Sequence, residues 1–134
     1  MFVDACAIVS LIARDDDSEA YELALMASEA PLTSALAAWE AIIVLSRPDQ
    51  LNCRYSQSER IVVEWLTTVG IALREADDPR QILRYAVQVA EEQGIGKRYL
   101  SNFDCFHYAY TKAANAGMIT KDRLLKATDL VTSP

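Results

Sequence analysis

At 134 residues, with 51% apolar and 24% charged side chains, the chain has the composition of one globular domain and not of a disordered or fibrous polypeptide. A net charge of -6 argues against a basic coat for nonspecific nucleic-acid binding, yet stays compatible with a carboxylate site that takes up cations or with a basic partner. Three cysteines, Cys6, Cys53 and Cys105, are an odd number without C-x-x-C spacing; they suggest neither a disulfide framework nor a zinc site and fit a reducing cytoplasm.

The apolar run Met1-Phe2-Val3 predicts a strand ending in Asp4, and Ile8, Leu11 and Ile12 at i, i+3, i+4 spacing predict a helix directly after it. The run has no basic segment before it and is interrupted by Asp4, so it reads as neither signal peptide nor membrane span. Asp15-Asp16-Asp17-Ser18 is a solvated loop that caps a second helix with Tyr21 and Leu25 turned inward. Pro31-Leu32-Thr33 suits a second strand, and Ser34 caps a helix from Ala35 to Ser46 whose inward positions are Leu36, Trp39 and Ile43, with Glu40 near one edge; Pro48 ends it. Ser56 to Glu59 starts a further helix carrying Ile61, Val62, Trp65 and Leu66 and closing at Gly70, before a third strand at Ile71-Ala72-Leu73.

Asp77-Asp78-Pro79 starts a helix with Ile82, Tyr85, Ala86 and Val89 at helical spacing up to Gly94. Asn102-Phe103-Asp104 caps a helix from Cys105 to Ala114, followed by Gly117, a fourth strand at Met118-Ile119-Thr120 and one more strand within Thr128 to Val131. Short apolar strands alternating with helices predict an α/β fold with a parallel sheet covered on both faces, and nothing between residues 1 and 134 resembles a linker or repeat. In such sheets the residues just past the carboxyl ends of strands line the ligand crevice, which is where Asp4 and Asp122 fall.

Four carboxylates stand out: Asp4 ends a strand, Glu40 sits mid-helix among apolar residues, Asp104 begins a helix, and Asp122 follows a strand. Grouped at one sheet mouth they would raise each other's pKa unless cations neutralised them, and hard oxygen ligands favour Mg²⁺ or Mn²⁺. The chemistry natural to such ions is hydrolysis of a phosphodiester.

The blocks MFVDACAIVSLI, TSALAAWEAIIVL, LSNFDCFHYAYTKA and MITKDRLLKATDL, in this order and separation, resemble those of the VapC toxins of the PIN-domain family. The resemblance implies a single PIN-like domain over residues 1–134, a three-layer α/β/α fold with a short, mostly parallel sheet of four or five strands, and one or two divalent ions held by acidic residues. It also implies RNA cleavage, silencing by a cognate antitoxin, and a homodimer. Carried over, the three acidic positions fall on Asp4, Glu40 and Asp104: Asp4 and Asp104 as direct ligands, Glu40 holding a metal or its water. Asp122 is preferred as the fourth carboxylate, with Asp129 as rival, because Thr128-Asp129 places Asp122 one residue early against the family pattern. Two further departures are Cys6, where relatives often carry Ser or Thr and which reads as packing, and Phe103, where many have Gly.

The remaining residues have plainer readings. His107, the only histidine, is set aside as a base because water activated by a metal needs none; Trp39 and Trp65 read as core anchors, and Cys105 as a buried small residue. Arg47, Arg54, Lys97, Arg98, Lys112 and Lys121 are scattered cations, of which Lys97, Arg98 and Lys121 lie nearest the acidic blocks as candidate phosphate contacts. Two alternatives to a ribonuclease stay open: a non-catalytic PIN-like partner in a DNA-binding regulatory complex, and a DNA-directed nuclease.

Overall fold

The computed structural model describes residues 1–134. Five strands of two residues each form its sheet: β1 (Phe2–Val3), β2 (Leu32–Thr33), β3 (Ala72–Leu73), β4 (Met118–Ile119) and β5 (Thr132–Ser133). They lie in the order β3-β2-β1-β4-β5 and every neighbouring pair is parallel. Helices fill the connections: α1 (Ala5–Ala13), α2 (Ser18–Met26), α3 (Ala35–Leu45), α4 (Tyr55–Val69), α5 (Pro79–Gln93), α6 (Asn102–Ala113) and α7 (Arg123–Lys126). The expected α/β architecture is therefore present, with five strands, all parallel.

The two central strands divide the core by simple alternation. Val3 and Ile119 face a cluster built with Ala7, Ile8, Ala41, Leu45, Val62 and Leu66 from α1, α3 and α4; Phe2 and Met118 face one built with Ile82, Val89, Cys105 and Tyr108 from α5 and α6. All four strand residues are fully buried, which makes the β1–β4 pair the centre of a three-layer molecule. The chain runs outward from β1 through β2 to β3 and then returns to β4 on the other side of β1. The connections leaving β1 and β4 thus diverge, which makes their carboxyl ends the topological switch point where such sheets bind ligands.

Close packing of this pair depends on Gly117. A Cβ there would lie 2.7 Å from Met1 Sδ and 2.9 Å from the Val131 carbonyl oxygen, so only glycine lets β4 enter the sheet beside both neighbours.

Three expectations need correction. The buried positions of α3 are Ala37, Ala38, Ala41, Ile42 and Leu45, while Trp39 is 44% exposed and meets Tyr55 edge-on at 5.8 Å between ring centroids. The stripe of small residues lets α3 lie close to its neighbours, and the larger Leu36, Trp39 and Ile43 are turned away from it. The helix that carries Asp104 starts earlier than expected: Ser101 is the cap, its Oγ accepting the Asp104 N–H, and α6 begins at Asn102. The last strand is Thr132–Ser133, not Thr128–Val131, because Thr128 closes α7 by donating its hydroxyl to the Leu125 carbonyl. No helix is long and apolar enough to cross a membrane.

Candidate active site at the carboxyl ends of the central strands

Asp4 is the first residue beyond β1 and caps α1, so its extended backbone delivers the side chain into the crevice. It is only 4% exposed. One carboxylate oxygen accepts the Ala5 N–H at 2.8 Å; the other accepts the Thr120 hydroxyl at 2.7 Å and the Cys6 thiol at 3.0 Å. Thr120, the first residue beyond β4, also takes the Asp122 N–H on its hydroxyl oxygen at 3.1 Å, tying the exits of β1 and β4 together.

Glu40 comes from α3, which Ser34 starts by accepting the Ala37 N–H. Ala37 and Ala41 flank it on the buried side and exposed Trp39 on the other, so its side chain reaches along the boundary and stays 28% exposed. There it meets His107 of α6, whose Nε2 lies 2.5 Å from Glu40 Oε2 and 3.9 Å from Asp4 Oδ1. Ligand atoms of Asp4, Glu40 and His107 all fall within 4.8 Å of one another, a spacing that suits one cation. His107 is the residue that sequence reasoning passed over, and the only signal for it was its place three residues after Asp104, on the same face of one helix.

Asp104 sits in the first turn of α6, and its carboxylate accepts the Ser101 N–H at 2.8 Å. Its carboxyl is pushed above the ordinary range by burial, against the lowering effect of its Ser101 hydrogen bonds, and further by the charges of Asp122 and Asp4. Asp122 uses one oxygen to cap α7, taking the Leu124 and Leu125 N–H groups. No lysine or arginine lies within salt-bridge distance of Asp4, Glu40, Asp104 or Asp122; Lys121 pairs instead with Asp17 and Lys112 with Asp129. Of the four expected carboxylates the structure brings only Asp4 and Glu40 to ligand spacing, with His107; Asp104 and Asp122 stand outside that group, near enough for the charges of Asp122 and Asp4 to act on Asp104. Oxygen donors with no lysine or arginine counter-charge are a set that fits a divalent cation.

Asp129 lies elsewhere. It is exposed, and it accepts the hydroxyl of buried Tyr108 at 2.8 Å and the Lys112 ammonium at 2.7 Å. Those two hydrogen bonds, Lys112 first, hold its carboxyl below the ordinary range. Removing it with Asp129→Ala leaves the Tyr108 hydroxyl unpaired and is expected to cost about 1–3 kcal/mol in urea unfolding. Because the folded pKa is the lower one, this stabilisation is present above the unfolded carboxyl pKa of about 4 and is lost as pH falls through the folded value. The stability gap between wild type and variant should therefore narrow in acid, the part left being the hydrogen bond that a protonated carboxyl still accepts from Tyr108.

Cys6 does not pack inside as expected. The residue is exposed while its sulfur turns back to Asp4, with Tyr21 Oη and Thr120 Oγ1 each at 3.4 Å. Desolvation of the sulfur and the Asp4 charge push the thiol up to about 12, so it is a proton donor to Asp4 and a poor ligand. Cys105 is buried as expected. Of the scattered cations, Arg47 and Arg54 line one cavity between α3 and α4, Lys121 stands over the Tyr21 ring, and Lys97 and Arg98 are exposed in the loop before α6.

With this geometry in place, comparison with known proteins gives a consistent result. The family model described as PIN domain matches residues 1–130. No curated protein matches in sequence. Among solved structures, a toxin–antitoxin complex from Klebsiella pneumoniae superposes with a TM-score of 0.71 at 14% identity, covering 99% of this chain and 95% of the other. VapC20 of Mycobacterium tuberculosis, a toxin that cleaves the sarcin-ricin loop, gives 0.74 at 14% identity over 99% and 98%. VapBC2 of Rickettsia felis, solved on a DNA fragment from its promoter, gives 0.70 at 17% identity over 98% and 96%.

Proposed function

The chain belongs to the PIN-domain family, and from that premise we propose that it is a divalent-metal-dependent endoribonuclease, the toxin of a toxin–antitoxin pair. The observation that carries the reading is the pair of carboxylates Asp4 and Glu40 brought to ligand spacing beside His107 at the mouth of the parallel sheet without a lysine or arginine partner, with Asp104 close enough to feel the Asp4 and Asp122 charges. Asp4, Glu40 and Asp104, with Asp122 beside them, would hold Mg²⁺ or Mn²⁺. When bound, the cation supplies electrophilic stabilisation of the charge that develops on a phosphodiester and eases ionisation of the attacking water.

The chain's own residues do the rest. Thr120 and Cys6 donate to Asp4 and orient it, the Ser101 N–H fixes Asp104, and the first turn of α7 holds Asp122. The names of the structural neighbours support an antitoxin as partner. A basic antitoxin segment would meet an acidic surface. For the homodimer, the exposed and touching Trp39 and Tyr55 are surface that a second copy would cover.

The test is incubation of the purified chain with structured RNA and with single-stranded DNA, with Mn²⁺ or Mg²⁺ and with EDTA. Discrete metal-dependent cleavage of RNA alone is expected. Cleavage of DNA only would assign a DNA-directed nuclease, and cleavage of neither would leave the regulatory partner as the better reading. Independently, Mn²⁺ at one hundred times its dissociation constant should stabilise the fold by about 2.7 kcal/mol in thermal unfolding, an effect that Asp104→Asn reduces.

A further inference from the structure

We infer that His107 is a positioning residue of this site: a buried imidazole that donates its Nε2–H to Glu40 and fixes the direction of that carboxylate. The inference rests on the reading that the carboxylates hold a divalent cation. His107 has no exposed surface, whereas Glu40 reaches the crevice from a helix edge and is partly open. An unrestrained glutamate there would keep much of the rotamer freedom that long side chains lose on being fixed. The hydrogen bond to Nε2 removes that freedom before a ligand arrives.

The other ring nitrogen decides between support and ligation. Nδ1 of His107 is buried and has no hydrogen-bond partner. A proton on Nδ1 would be a buried donor with nothing to accept it, and would leave the Nε2 lone pair directed at the Glu40 carboxylate. A proton on Nε2 satisfies Glu40 and leaves only an idle lone pair on Nδ1. A histidine that binds metal through Nε2 carries its proton on Nδ1 and normally gives it to a carbonyl or carboxylate, and no such group is in reach here. His107 therefore acts through Glu40. The rings of Phe2 and Phe103, with centroids 6.0 and 6.2 Å away, hold the imidazole in place.

Two variants of the full chain test this. His107→Gln keeps an N–H donor near the Nε2 position, and His107→Leu keeps the bulk without the donor. In Mn²⁺ titrations followed by electron paramagnetic resonance, His107→Leu should weaken binding by roughly 10–100-fold, the range for residues that support metal ligands, and His107→Gln should recover most of it. Long-range proton–nitrogen NMR of the wild type should place the ring proton on Nε2. Mn²⁺ binding unchanged in His107→Leu, a proton on Nδ1, or nitrogen hyperfine coupling from His107 to bound Mn²⁺ would each overturn the inference. Wild-type protein that shows the Nε2–H form but binds no Mn²⁺ would instead overturn the functional reading, and with it the metal half of this one.

Discussion

On the proposed reading, in which Asp4 would be a direct metal ligand of a ribonuclease, Asp4→Asn is expected to lower RNA cleavage by more than the roughly 10–100-fold associated with losing a supporting residue, because ligand and charge go together. The shape of the site should survive. An asparagine oxygen can still accept the Ala5 N–H, and its amide can donate to the Thr120 hydroxyl oxygen, which has a second lone pair beyond the one that receives Asp122 N–H. Exchanging a charged acceptor for a neutral one in these contacts should cost about 1–2 kcal/mol of stability, far too little to unfold the chain. The carboxyl of Asp104 should also fall towards its ordinary range, since the Asp4 charge is one of the causes that raise it. The decisive comparison is single-turnover cleavage of one RNA by wild type and variant at saturating Mn²⁺, with thermal unfolding as the control. A folded Asp4→Asn protein that cuts at the wild-type rate would remove the carboxylate cluster from the chemistry.

What could be read from the residues alone depended on how far apart the contributing positions were. Asp4 was legible because a three-residue apolar run, an acidic residue and a helical period lie within a dozen residues, and strand-then-helix geometry sends such a residue to the sheet mouth. Tyr85, Ala86 and Val89 on α5 were legible because large and small apolar residues there agree on one face. In α3 they disagree. Alanines at 37, 38 and 41 carry the buried stripe, and a reading weighted by side-chain size put Trp39 inside.

His107 was harder still. Its partner Glu40 is 67 residues away, and only the packing of α3 against α6 brings the two together. Its spacing from Asp104 is the one local cue, and a core histidine can share it. Thr120 was read only as the end of a strand, since a threonine that closes β4 and one that also donates to Asp4 leave the same trace in sequence. The rivalry between Asp122 and Asp129 was likewise a matter of one residue of register. In the fold, Asp129 is held by Lys112 and Tyr108, whereas Asp122 stands close enough to Asp104 to raise its pKa.

The largest expected effect on stability belongs to Phe2→Ala. Phe2 lies on the central strand, is fully buried, and packs with Met118, Tyr108 and Cys105 on one side of the sheet while its ring backs that of His107. Its backbone N–H donates to the Gly117 carbonyl at 2.7 Å, a bond the substitution leaves intact, so β1 should stay paired and the space should not close by strand movement. Removing the ring then costs both its transfer from water and the cavity left behind, about 3–5 kcal/mol together. For a chain of this length that corresponds to a fall in Tm on the order of 10 °C or more, and to a large share of the ~5–15 kcal/mol that typically separates folded from unfolded states. Phe2→Leu should lose much less, since it refills most of the volume. The ring also forms the wall behind His107, so the cavity variant should weaken Mn²⁺ binding in a way that a core substitution in the opposite layer, such as Leu45→Ala, does not. Urea unfolding of the three variants alongside Mn²⁺ titration separates the two effects. A Phe2→Ala loss below about 1 kcal/mol would mean that α6 settles onto the sheet to fill the gap, in which case His107 should move with it and the Glu40 contact should be the first to change.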